Sequence, residues 1–155
     1  RVSKAQKAQV ATMTDNPKAE QNTAERSANT VSLVIGASGG IGKALVYLLA
    51  SADVREGEYP KKVIALSRSG YKDPTWPSNV TAISLPEHNE ASIAAFVKDL
   101  QAQGTRVKLA IVATGVLHNE SQGFRPEKRL EDISEEALAT YFAVNSTMTA
   151  LWMKY

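Results

Sequence analysis

The sequence predicts an α/β fold, a doubly wound parallel sheet with helices on both faces. Two observations predict it. From Val31 onward, apolar runs of strand length alternate with segments of helical periodicity, and a cluster of glycines separates the first run from the first periodic segment. The first run, residues 31–35 (VSLVI), is the first strand. Residues 40–52 (GIGKALVYLLASA) carry Ile41, Ala44, Leu45, Leu48 and Leu49 at helical spacing, so a helix begins inside the glycine loop. Residues 63–67 (VIALS) form the second strand, after a polar connection with Gly57 and Pro60. The turn formers Pro74, Pro77, Ser78 and Asn79 precede a third strand at residues 80–85 (VTAISL). Ile93, Phe96, Val97 and Leu100 form one stripe of a helix over residues 90–102, with Gly104 just past its end as a stop signal. Residues 107–113 (VKLAIVA) are the fourth strand. After a polar loop, Ser134 opens a last helix with Glu135 and Glu136 in the first turn, where the helix dipole favours negative charge. Its apolar positions Val144, Met148 and Leu151 carry it to the end of the chain.

The chain has 155 residues, 43% hydrophobic and 22% charged, with a formal net charge of +2 and no cysteine. That length suits one domain or part of one. No apolar segment approaches the ~20 residues a membrane-spanning helix needs, so no membrane role is expected. The small, evenly spread charge makes no case for nucleic acid or anionic lipid as a partner. Disulfides, thiolate metal sites and thiol catalysis are excluded, and the lack of cysteine is consistent with the expected location, the cytoplasm. His88 and His118 lack a second ligand at metal spacing and read as surface or loop residues, so no metal is expected. Trp76 and Trp152 read as packing residues. Residues 1–30 are rich in Ala, Gln, Lys, Asn and Thr, with Val2, Val10 and Met13 as their larger apolar side chains, and are expected to be a disordered or frayed tail. Met13 is a candidate start. The domain proper is residues 31–155.

Gly36, Gly39, Gly40 and Gly42 stand between a strand and a helix within a βαβ unit that closes at Ser67. Glycine permits tight turns and close backbone approach, and the helix start offers unpaired N–H groups at the positive end of its dipole. Together these are the ingredients of a pyrophosphate site in a Rossmann-type fold. A phosphate loop of the Gly-Lys-Ser/Thr kind is excluded because Lys43 is followed by Ala44. Gly36-Ala37-Ser38-Gly39-Gly40 also satisfies the nucleophile-elbow pattern of α/β-hydrolases, but the strands and oxyanion loop expected before such an elbow have no counterpart in the first 30 residues. At the end of the second strand a carboxylate selects NAD through the ribose hydroxyl, and a basic residue accommodates the 2′-phosphate of NADP. Here the chain reads Ser67-Arg68-Ser69, with no carboxylate until Asp73, so NADP(H) is preferred over NAD(H).

Gly36-x-x-x-Gly40-x-Gly42 resembles the loop of classical short-chain dehydrogenases/reductases, and Gly36-x-x-Gly39-x-x-Gly42 resembles that of the extended, epimerase-like members; the loop alone leaves both open. Ala113-Thr114-Gly115 takes the place of that family's Asn-Asn-Ala-Gly, with the glycine matched and the asparagines absent. Phe142-Ala143-Val144-Asn145 resembles the Val-Asn pair of its fourth helix. All of residues 31–155 resembles this family, and Gly115 to Asn119, Pro126 to Glu131 and Tyr141 to Asn145 look like its C-factor (C-signal) type. Ile35 stands where the family commonly has threonine, and no aspartate follows the third strand at Leu85-Pro86-Glu87.

The resemblance implies an oxidoreductase moving hydride between a nicotinamide and a carbonyl or alcohol substrate. Gly36, Ser38, Gly40 and Ile41 would hold the pyrophosphate and adjacent ribose, Arg68 the 2′-phosphate and Gly115 the nicotinamide ribose. Asn145 would serve the proton relay, and the full-length protein would be a homo-oligomer with Trp152 of the last helix at an interface between subunits. The family's Tyr-x-x-x-Lys pair is absent: Tyr47, Tyr59, Tyr71 and Tyr141 are followed four residues on by Ser51, Val63, Thr75 and Asn145, and Tyr155 is last. The expectation is therefore a sheet cut after its fourth strand and the following helix, an N-terminal portion with an unpaired apolar edge. The competing expectation is a module that binds NADP(H) or signals without turning it over.

Overall fold

A computed structural model describes residues 29–51, 59–117 and 126–155. The expected tail up to residue 28, the candidate start Met13 and His118 lie outside the described residues. The sheet has four parallel strands in the order β3-β2-β1-β4, where β1 is Thr30–Ile35, β2 Val63–Ser67, β3 Val80–Ser84 and β4 Arg106–Val112. The domain starts slightly earlier than the tail expectation set it. Thr30 is already in β1, and the Asn29 amide donates to Gln103 O at 3.0 Å while its carbonyl accepts Arg106 N at 3.0 Å.

The near-continuous apolar strands are those of a sheet covered on two sides. Alternation sends Leu33, Ile35, Ile64 and Leu66 to one face, where they meet Ile93, Phe96 and Leu100 of α2 (Glu90–Ala102). Val34, Val63, Ala65 and Val80 go to the other, against Val46, Leu49 and Ala50 of α1 (Gly40–Ala50) and Trp76. Asn89 caps α2, its side chain accepting from Ser92 N at 2.9 Å, and Ser134 caps α3 (Glu135–Phe142) by accepting from Ala137 N at 3.2 Å.

The last helix departs from the expectation of one continuous rod. Between α3 and α4 (Met148–Lys154), residues Ala143–Thr147 form a widened π-helical turn centred on Asn145. Trp152 of α4 turns inward, with its ring 6.0 Å from both Phe96 and His88, and is buried within the chain. That agrees with its reading as a packing residue. The Lys154 ammonium pairs with Glu90, tying α4 to the start of α2. β4 is an outer strand of the sheet as described, and its residues are exposed or half-buried throughout.

Candidate functional site

Parallel strands end on one edge, and here β1 leads to β2 on one side while its other neighbour is β4. The helices that follow leave in opposite directions, so a crevice opens at the carboxyl ends between β1 and β4. Gly36 ends β1 with φ +89°, a conformation costly for any side chain, and a Cβ there would meet Ala113 C and O at 2.9 Å. Gly42 is glycine for a related reason: its Cβ would stand 2.1 Å from Gly36 O. These two serve the packing of strand, loop and helix. Gly40 does not, because a Cβ there would have nothing within 4 Å. The first turn of α1 is also uncapped, since its N-cap is Gly39 and no side chain bonds to its leading N–H groups.

The crevice is a cleft of about 620 Å³. Gly36, Ser38 and Gly39 form one wall, Ser67 and Arg68 the end of β2, and Ala113 to Val116 the end of β4. Thr140, Ala143, Val144 and Met148 close it from the α3–α4 side. Of the expected residues, Gly36, Ser38, Arg68 and Gly115 line this cleft. Gly40 and Ile41 open α1 beside it without lining it, and Ile41 is largely exposed. Asn145 sits behind the Gly115 turn: its amide donates to Val116 O and accepts from Val116 N, both at 2.8 Å. The side chain is thus spent on a two-bond clasp of the loop after β4.

Two wall residues had been given no site role from the sequence. Among the described residues Thr114 holds a buried hydroxyl with no hydrogen-bond partner, and His88, in a loop as expected, lines the cleft. Burial, and then the positive charge of Arg68, lowers the His88 pKa below the ordinary 6.5, and its Nδ1 is buried without a partner. The available signal was position: a polar side chain just past an apolar parallel strand falls on the ligand edge of such a sheet. Asp73, the nearest carboxylate after β2, is engaged elsewhere. It accepts from Thr75 N at 3.0 Å, Thr75 Oγ1 at 2.6 Å and Tyr71 Oη at 2.8 Å, and these bonds lower its pKa to about 2.

An anionic, elongated ligand fits this donor set. The uncapped helix start and the open space over Gly40 suit a phosphate group, the Arg68 fork suits a second one, and the orphaned Thr114 hydroxyl offers a hydrogen bond to a polar group at the far end. Among the described residues there is no cluster of three or more acidic or histidine side chains placed to hold a metal, and no helix long and apolar enough to cross a membrane.

Strand order, parallel direction and the glycine loop at the head of α1 define a Rossmann-like α/β domain. No family model matches the chain, and no curated protein matches it. Among solved structures it is similar to one described as the carbonyl reductase Sniffer of Caenorhabditis elegans, with a TM-score of 0.56 and 23% identity, covering 81% of this chain and 50% of that one. The chain thus spans about half of that neighbour's length, and the likeness is one of fold.

Proposed function

We propose that the chain is the dinucleotide-binding part of an NADP(H)-dependent oxidoreductase of the short-chain dehydrogenase/reductase type, of the C-factor-like kind, acting on a small carbonyl or alcohol substrate. The observation that carries the proposal is the cleft itself, in which the glycine loop, Arg68 and the Thr114-Gly115 turn meet at the edge where such folds bind dinucleotides. The carbonyl reductase named above, similar in fold, supports the reaction class.

Ser38 and the first-turn N–H groups at Gly40 and Ile41 would receive the pyrophosphate, with Gly36 allowing the close turn. Arg68 would pair with the 2′-phosphate. The competing carboxylate, Asp73, is held by Thr75 and Tyr71, so the acidic grip on a free ribose hydroxyl is missing from this wall. Gly115 and Thr114 would flank the nicotinamide ribose. When bound, the nicotinamide supplies the hydride donor or acceptor. Asn145 keeps the turn at Val116 in shape, and its part in a proton relay rests on the resemblance of Phe142 to Asn145 to the family. The same reading carries with it a cytoplasmic homo-oligomer for the full-length protein.

Titration with NADPH and NADH tests the proposal. NADPH should bind saturably and about tenfold or more tighter than NADH, as a charge-assisted Arg–phosphate pair provides. Arg68→Glu should abolish that preference, and an unchanged preference refutes the role of Arg68. Carbonyl-dependent oxidation of NADPH by the full-length protein separates a reductase from a module that binds without turnover.

A further inference from the structure

The loop carrying Arg68 is tied down on both sides. Towards β3, Leu85 N donates to Ser67 O and Ser84 Oγ donates to Arg68 O, both at 2.9 Å. Gly70, at φ +65°, then reverses the chain against Ser84, and Tyr71 N donates to Ser67 Oγ at 2.9 Å. Towards α1, the Tyr71 ring stands edge-on to buried Trp76 at 5.9 Å, and the Lys43 ammonium lies over it, 4.2 Å from its centre. The hydroxyl of Tyr71 is the junction: it accepts from Lys43 Nζ at 3.1 Å and donates to Asp73 Oδ2 at 2.8 Å. Lys43 is itself bonded through its amide to Gly39 O at 2.9 Å, on the wall of the cleft.

We infer that Tyr71 is a positioning residue for cofactor choice: its hydroxyl joins the glycine-loop helix to the Arg68 loop and keeps the Asp73 carboxylate turned away, so that the cleft favours a 2′-phosphate over a free 2′-hydroxyl. The inference rests on the proposed dinucleotide site. It needs no direct contact between Tyr71 and ligand, and Tyr71 does not line the cleft. Removing the hydroxyl frees one end of the Arg68 loop and leaves Asp73 with its Thr75 bonds alone, so the loss should fall on the phosphorylated ligand.

The test is Tyr71→Phe, which keeps the ring against Trp76 and Lys43 and deletes only the junction. Calorimetric titration of the full chain uses two probes, adenosine 2′,5′-bisphosphate and adenosine 5′-monophosphate, which differ only in the 2′-phosphate. The variant should bind the bisphosphate about fivefold more weakly, the worth of one net hydrogen bond, with the monophosphate unchanged. Lys43→Met, which removes the tie to α1 together with the ammonium over the ring, should move the ratio the same way. Equal loss for both probes, or an unchanged ratio alongside a lowered melting temperature, assigns the cluster a purely structural role and overturns the inference. Arg68→Ser is titrated in parallel. If it leaves the ratio intact, the cofactor reading itself falls; if it collapses the ratio while Tyr71→Phe does not, only the role of Tyr71 falls.

Discussion

Alanine at Gly42 should be costly and alanine at Gly40 nearly neutral, although the two glycines sit two residues apart in the same helix turn. In a helix interior alanine is favoured over glycine by about 1 kcal/mol. At Gly42 the added Cβ would lie 2.1 Å from Gly36 O, 2.8 Å from Gly36 C and 3.0 Å from Ala37 Cα, all backbone. Non-bonded carbon contacts sit near ~3.5 Å, so the Gly36 carbonyl would have to retreat by more than about 1 Å. It has little room to do so. Gly36 N is bonded to Leu66 O at 2.9 Å, its carbonyl accepts Gly39 N at 3.1 Å, and the Ala113 backbone stands 2.9 Å from where a Cβ on Gly36 would be. Overpacking of this kind costs about 3 kcal/mol at the upper end of the usual range, and the helix gain offsets about 1 of it. The net loss of about 2 kcal/mol lowers the melting temperature by roughly 8 °C in a domain of this size. Gly40→Ala, with open space around it, should stay within about 0.5 kcal/mol of the parent. Thermal and urea unfolding followed by circular dichroism reads both. A Gly42→Ala protein as stable as Gly40→Ala would refute the reasoning that Gly42 is there for packing.

Two further outcomes follow from the cleft. Asn145→Asp keeps an acceptor for Val116 N but sets a carboxylate against Val116 O, so it should destabilise by about 1–3 kcal/mol at neutral pH and recover in part as the carboxyl protonates; a flat pH response in urea unfolding would contradict the clasp. The folded state lowers the His88 pKa, so the unfolded chain takes up the proton first and stability should fall as pH drops through 6.5 towards the folded value. His88→Gln should flatten that stretch of the stability profile, and an unaltered slope would remove His88 as its source.

How much of this was legible beforehand depended on how far apart in the chain the cause and the effect lie. The four strands, α1 and α2 were readable to within a residue or two because each is announced by its own apolar spacing and its own stop signals, such as Gly104 after α2. The glycine loop was readable for the same reason, as were the polar cap of α3 and the basic residue at the end of β2. The widened turn at Asn145 was not, because its partner, the Val116 backbone, is 29 residues away and local helix preference says nothing of it. The contact between His88 and Trp152 was not legible either. Neither carries a pattern of its own, and both are placed by α4 folding back over α2.

The four glycines show the division most clearly. As a sequence they are one motif with two spacings, both compatible with a phosphate loop. The tertiary structure separates them, because only the approach of Ala113 and of the Gly36 carbonyl shows that Gly36 and Gly42 are required by packing, whereas Gly40 faces open space. Sequence by itself determined the class of fold and set the glycine loop at the carboxyl edge of the strands, since strand and helix periodicities and turn chemistry are local. Which side chains reach that edge, and what the Asp73 carboxylate is occupied with, were decided by contacts between segments far apart in the chain, which no local periodicity encodes.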